Sequence, residues 1–179
     1  MMESGIGRVL LTAAEIEAKV KDLGKEITKD YFGKNLLVVG ILKGAVIFLS
    51  DLVREIKTPL SLDFMAVSSY GTSTQSSGVV RIMKDLERSI DDFHILIVED
   101  IVDTGLTLKY LVENLQARGP QSVKVCTLLD KPTRRKVEVV PDYNGFSIAD
   151  EFVVGYGLDY NERFRHLPYI GVVKPSEYL

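Results

Sequence analysis

Polar and apolar positions alternate between two periods along this chain, and the switches mark its elements. Thr12 and Glu15, three residues apart, form a capping-box signature. Ile16, Val20, Leu23 and Ile27 then recur at helical spacing, with Gly33 as the expected stop. Residues 36–42 are a continuous run of aliphatics and one glycine, the pattern of a strand buried on both faces. Lys43-Gly44 reads as a turn, and apolar residues at 45, 49, 52, 53 and 56 predict a second helix. Pro59 breaks the chain before a strand over 60–67, and another strand is expected at 79–83. Residues 94–98 are aliphatic after His94 and predict a further buried strand. A helix over 104–118 follows, stopped by Gly119-Pro120, and then a strand over 123–129. Shorter strands are expected at 145–148, 152–154 and 169–173.

Strands separated by helices of this length imply right-handed βαβ units. The expected fold is therefore α/β: one domain over residues 1–179, with a mainly parallel sheet flanked by helices. Ligands in such sheets bind beyond the carboxyl ends of the strands. That directs attention to the residues just after Leu42, Val98 and Leu129.

One segment fits neither period. Nine of the eleven residues in 68–78 are Ser, Thr or Gly, and none is charged. Such a stretch cannot hold itself in place by apolar burial. It is either a plain surface loop or a mobile active-site lid, since long loops in compact domains are often functional.

Composition narrows the partners. The formal net charge of −3 argues against general nucleic-acid binding, and Arg134-Arg135-Lys136 is the only three-residue basic run, read as a solvated surface turn. A single cysteine, Cys126, in a mostly apolar run permits no internal disulfide and reads as a buried thiol. No signal-like segment opens the chain and no apolar run approaches the ~20 residues of a membrane span, so the cytoplasm is the expected location.

The richest chemistry follows the strand at 94–98. Glu99, Asp100 and Asp103 place three carboxylates beside Thr104, Gly105 and Thr107 at the start of a helix. The helix N-terminus and the two hydroxyls suit a phosphate, and Gly105 permits close backbone approach. Glu99 and Asp100 suit ribose hydroxyls or a hard cation such as Mg²⁺. The plain alternative is capping by Asp103 with the other acids solvated. Capping needs only one of them.

This run resembles the phosphoribosyl-diphosphate (PRPP) motif of the phosphoribosyltransferase family: two acids after an apolar strand, two aliphatics, then Asp-Thr-Gly-x-Thr. The resemblance extends in order through Leu42-Lys43-Gly44, Ser69-Tyr70, Leu128 to Pro132, and Asp150 to Tyr160, where the hypoxanthine-guanine branch of bacterial type is most similar. It implies a type I phosphoribosyltransferase-like fold with a small hood built from the chain ends. It also implies transfer of 5-phosphoribosyl from PRPP to N9 of a 6-oxopurine, with Mg²⁺ as cofactor and a homodimer or homotetramer as the assembly.

Carried over residue by residue, the resemblance implies Asp103 as general base. Glu99, Asp100, Asp103, Thr104, Gly105, Leu106 and Thr107 would bind the ribose 5-phosphate side of PRPP. Lys43, Gly44, Ser69, Tyr70 and Arg165 would bind pyrophosphate, with a cis peptide before Lys43. Lys131, Phe152, Val153 and Asp159 would surround the purine, and Glu99, Asp100 and Asp159 would face metal. Read without it, Lys43 and Lys131 are surface lysines, Phe152 and Val153 are core, and Asp159 with Arg165 is a surface salt bridge. His94 and His166 receive no role. Leu106 and Ala66 depart from the mammalian pattern, which has lysine and arginine there. The loop at Leu106 must then hold phosphate with amides and hydroxyls. A PRPP-sensing regulator is the competing class, but it lacks room for a DNA-binding domain and lacks a basic face for RNA. Lys131 favours a 6-oxo group over the amino group of adenine; xanthine stays open.

Overall fold

The computed structural model describes residues 3–69 and 80–177. Six strands form the main sheet: β2 (Leu36–Leu42), β3 (Leu60–Ser69), β4 (Val80–Lys84), β5 (His94–Val102), β6 (Ser122–Asp130) and β7 (Tyr143–Ser147). Their spatial order is β4-β3-β2-β5-β6-β7. All neighbours are parallel except the β3–β4 pair at one edge. A separate antiparallel sheet, β1-β9-β8, joins β1 (Ile6–Leu11), β8 (Val153–Val154) and β9 (Ile170–Val173). This is the hood from the chain ends; its first strand was not anticipated, because Gly5 and Gly7 interrupt the apolar pattern around it.

The central strands alternate between two cores. Leu36, Val38, Leu96 and Val98 face α1 (Ala13–Asp30) and α2 (Val46–Glu55), meeting Ile16, Val20, Phe48 and Leu52. Leu37, Val39, Ile95 and Ile97 face the other way, against Leu108, Leu111 and Leu115 of α3 (Leu106–Gln116). Period-2 strands covered on both sides explain the unbroken aliphatic runs. The Thr12–Glu15 capping box is present at the start of α1. That helix ends at Asp30 with Tyr31 as its cap; Gly33, expected as the stop, takes its positive φ in the turn beyond.

Two boundaries move in ways that matter. The strand expected to end at Val98 continues to Val102, so Glu99 and Asp100 lie inside β5, paired alongside β6. The helix expected from Thr104 begins at Leu106, with Gly105 (φ +82°) rather than Asp103 at the N-cap. The chain moves from β2 to β3 on one side and returns to β5 on the other, so β2 and β5 are adjacent and flank a topological switch point. Their carboxyl ends are where a ligand crevice opens.

Candidate active site

Three segments meet at that crevice. The Leu42–Lys43 peptide is cis, as the resemblance implied. Gly44 behind it lies so near Asp100 that a Cβ would sit 1.7 Å from Asp100 Oδ2. A Cβ on Gly157 would fall 2.1 Å from the Gly44 carbonyl oxygen. Only glycine fits either place, and the turn after β2, the end of β5 and the 155–159 segment are thereby held in contact.

Glu99 is buried, and Asp100 beside it is partly so. Burial and then the Asp100 charge push the Glu99 carboxyl well above its ordinary range. Burial also raises Asp100 to about 6, against opposing hydrogen bonds from backbone N–H groups and the Arg165 charge; Asp159 adds to the rise. Burial close to each other disfavours both groups carrying their charge at once.

After β5 the chain turns through Asp103, Thr104 and Gly105. A cleft of about 110 Å³ is lined there by Glu99, Asp103, Thr104, Gly105 and Thr107, among others. Gly105 is enclosed by Val137, Val139 and Arg135. The Asp103 carboxylate accepts from Arg134 Nε at 3.0 Å, and its carbonyl accepts from Arg135 at 2.6 Å. Arg135 also pairs with buried Asp130, and the Lys136 amide donates to the Thr104 carbonyl at 2.9 Å. The basic run expected to be a solvated turn instead braces this loop.

Lys131, expected on its own to be a surface lysine, is 7% exposed at the end of β6. Its amide donates to the Val102 carbonyl, and its ammonium lies 3.4 Å from Asp150. Phe152 reverses the plain expectation of core packing: it is 40% exposed, meeting the Tyr160 ring edge-on. Val153 is buried in β8, paired with Val172.

On the opposite side, Lys43 reaches Glu162 at 3.1 Å and Arg165 reaches Asp159 at 2.8 Å and Glu162 at 3.3 Å. Arg165 also donates to the Gly157 carbonyl, while its buried Nε has no partner among the described residues. Asn161, Glu162 and Phe164 all have positive φ, a tight left-handed turn that the sequence did not announce. Ser69 ends β3, and Tyr70 with most of the 68–78 loop lies outside the described residues. A larger hollow of about 480 Å³ between α1 and α2 shares only Arg165 with the expected site residues.

Among the described residues, no cluster of three or more His, Cys, Asp or Glu side chains is arranged to hold a metal by itself. Glu99 and Asp100 nonetheless suit a hard cation, because a Mg²⁺ ion bound with substrate needs only one or two protein carboxylates. Asp159 is already engaged by Arg165 and by the Glu162 amide, so it fits as a shared neighbour.

Arg134, Arg135, Asp150 and Glu162 contact the expected site residues and Asp130 pairs with Arg135, but none received a role in the sequence reading. Asp130 and Asp150 lie inside the runs that carry the resemblance and Arg134 and Arg135 in the basic run, while Glu162 had no signal.

Comparison with known proteins bears on the family and the fold. Residues 9–161 match the phosphoribosyl transferase domain. The chain belongs to that family. Within it, the chain stands with the hypoxanthine-guanine phosphoribosyltransferases. It is 54% identical over 178 residues to the Bacillus subtilis enzyme of that name, covering 99% of each chain, and 55% identical to that of Mycobacterium avium, covering 97% of this chain and 88% of the other. A crystal structure of a hypoxanthine phosphoribosyltransferase from Staphylococcus aureus superposes with a TM-score of 0.95 at 54% identity, covering 98% of this chain and 95% of that one.

Proposed function

We propose that this chain acts in purine salvage, transferring 5-phosphoribosyl from PRPP to N9 of hypoxanthine, and of guanine, to give IMP or GMP and pyrophosphate. One observation carries the assignment of roles. The acidic end of β5, the 103–107 loop and buried Lys131 converge at the switch point of a fold shared with relatives of that activity.

Thr104, Gly105, Leu106 and Thr107 hold the 5-phosphate at the start of α3, where backbone N–H groups lack helical partners. Glu99 and Asp100 orient the ribose hydroxyls and would hold Mg²⁺, with Asp159 as a neighbouring carboxylate. The ion would supply positive charge to offset that of the leaving pyrophosphate. Lys43, Gly44, Ser69, Tyr70 and Arg165 receive the pyrophosphate. Lys131 donates to the 6-oxo group, Phe152 covers one purine face, and Val153 presents backbone groups to the base edge. Asp103 takes the N7 proton as N9 bonds to an anomeric carbon of oxocarbenium character.

The chain works as a homodimer or homotetramer, in the reducing cytoplasm to which its one buried thiol is suited. Exposed Val46 and Ile47 at the start of α2 and exposed Leu62 on β3 support self-association. No described helix is long and apolar enough to cross a membrane.

The experiment is Asp103→Asn, with initial rates on hypoxanthine, guanine, xanthine and adenine. Turnover should fall by about 100-fold or more while PRPP binding persists, and hypoxanthine should be the better substrate over adenine. Unchanged turnover in the variant would remove Asp103 as base.

A further inference from the structure

The basic run at 134–136 does something specific to the loop it touches. A short 3-10 turn, Pro132–Arg134, follows Lys131 and folds the chain back toward the end of β5. The three basic residues Arg134, Arg135 and Lys136 then act on consecutive groups of that loop. Arg134 takes the Asp103 carboxylate, Arg135 takes the Asp103 carbonyl, and the Lys136 amide takes the Thr104 carbonyl. Arg135 is itself fixed by buried Asp130 and is only 15% exposed at its side chain. Arg134 has no such burial; its side chain is 44% exposed, and its other side-chain partner among the described residues is Asp150 at 3.5 Å.

Asp150 is also the partner of Lys131. The four side chains therefore form a line of alternating charge, Asp103–Arg134–Asp150–Lys131. It spans from the residue read as the proton acceptor to the residue read as the 6-oxo donor. Nothing else among the described residues joins those two side chains. Asp103 gives only Oδ1 to Arg134, and its Oδ2 takes no hydrogen bond among the described residues. A carboxylate held by one oxygen is restrained in its rotation and keeps its other oxygen to receive a proton.

We propose that Arg134 is a positioning residue for the transfer reaction: it fixes the Asp103 carboxylate with one oxygen turned to the purine and, through Asp150, keeps that carboxylate in register with Lys131. The inference rests on the assignment of Asp103 as base. It adds a specific role for an exposed arginine outside the residues assigned to substrate. Positioning of this kind acts on the rate once both substrates are bound, because a base displaced by about 1 Å costs up to roughly 100-fold in rate. It leaves PRPP binding to the amides and hydroxyls of the 104–107 loop, which Arg135 and Lys136 still brace.

The test is a double-mutant cycle on the intact protein, with Arg134→Gln, Arg134→Lys, Asp103→Asn and the Asp103→Asn/Arg134→Gln pair. Steady-state rates are measured with hypoxanthine and PRPP. Arg134→Gln should lower kcat by about 10- to 100-fold with the KM for PRPP within about twofold of the parent. Arg134→Lys should recover part of the loss, and added guanidinium ion should partly rescue Arg134→Gln. In the Asp103→Asn background the second substitution should cost almost nothing further, because its target is already gone. Independent, multiplying losses would overturn the inference, as would an Arg134→Gln enzyme with parental kcat, or one whose defect is confined to the KM for PRPP. If Asp103→Asn alone is fully active, the assignment of the base fails instead, so the two failures are told apart. A melting temperature for each variant separates a folding loss from a lost setting, and Arg134→Lys keeps the test alive if the glutamine variant is unstable.

Discussion

Gly44 and Asp100 are locked by shape. The glycine Cα lies against the carboxylate so closely that a methyl group would occupy a point 1.7 Å from Oδ2. The contact joins the turn after β2 to the acidic end of β5, the two halves of the switch-point crevice. Gly44→Ala must displace either the turn or the carboxylate, and the 155–159 segment blocks the turn's retreat through Gly157. We expect kcat/KM for PRPP to fall by at least about tenfold while the melting temperature changes by a few degrees, because the strands behind the site are untouched. An alanine variant with parental kinetics would show that this contact does not set the site.

Glu162 pairs with both cations assigned to pyrophosphate, Lys43 and Arg165. Lys43 first, and Arg165 after it, hold the Glu162 carboxyl below its ordinary range. Without substrate, this exposed carboxylate occupies the charge that pyrophosphate would use. Glu162→Gln should therefore lower the KM for PRPP, by about two- to fivefold given how weak exposed pairs are, with kcat nearly unchanged. The advantage should shrink as salt is raised. A higher KM would mean that Glu162 aims the two cations instead of competing for them.

The strands, the helices and the motif at the end of β5 were legible because each repeats a local rule over several residues. Leu36–Leu42 came out with its observed bounds, since a two-sided buried strand has a sharp apolar edge. Glu99 and Asp100 were misplaced at a strand end because their charge hid a pairing with β6 that is invisible locally. The roles of Arg134 and Glu162 were hidden because Asp103 and Lys43, the partners that tie them to the site, lie 31 and 119 residues away, and neither the basic run nor the nearby Arg165 encodes that distance. Phe152 was readable only through resemblance; an aromatic beside two valines looks like core, and the hood leaves it exposed.

Lys131 sits almost wholly out of water with one carboxylate partner, Asp150, which is itself half exposed. A lysine so placed gains from a second acceptor, and a purine 6-oxo group supplies one. Lys131→Gln should raise the KM for hypoxanthine by about 10- to 100-fold and leave the KM for PRPP within about twofold. It should also narrow the preference for hypoxanthine over adenine, because an amide both donates and accepts. If the PRPP constant moves instead, Lys131 acts on the phosphate loop through Arg134 and not on the base.

Asp63 is a buried carboxylate outside the site, on β3 next to the edge strand β4. It accepts from the Phe64 amide at 2.7 Å, the Glu87 amide at 3.1 Å and Lys84 Nζ at 3.3 Å. Burial works to raise its pKa, but the hydrogen bonds from the Glu87 and Phe64 amides and from Lys84 outweigh it, and the net shift is downward. A carboxyl lowered in the folded state stabilises the fold above its unfolded pKa of about 3.9, and that contribution is lost as pH falls through the folded value. Asp63→Asn keeps the shape but turns an NH₂ group toward amides that need an acceptor. It should cost about 1–3 kcal/mol at pH 7, read by urea unfolding. The gap between parent and variant should hold down to about pH 5 and close below about pH 4, as the parent carboxyl protonates. A gap of constant size down to pH 3 would assign the effect to packing, and the ionised acceptor would then have no part in holding the β3–β4 edge.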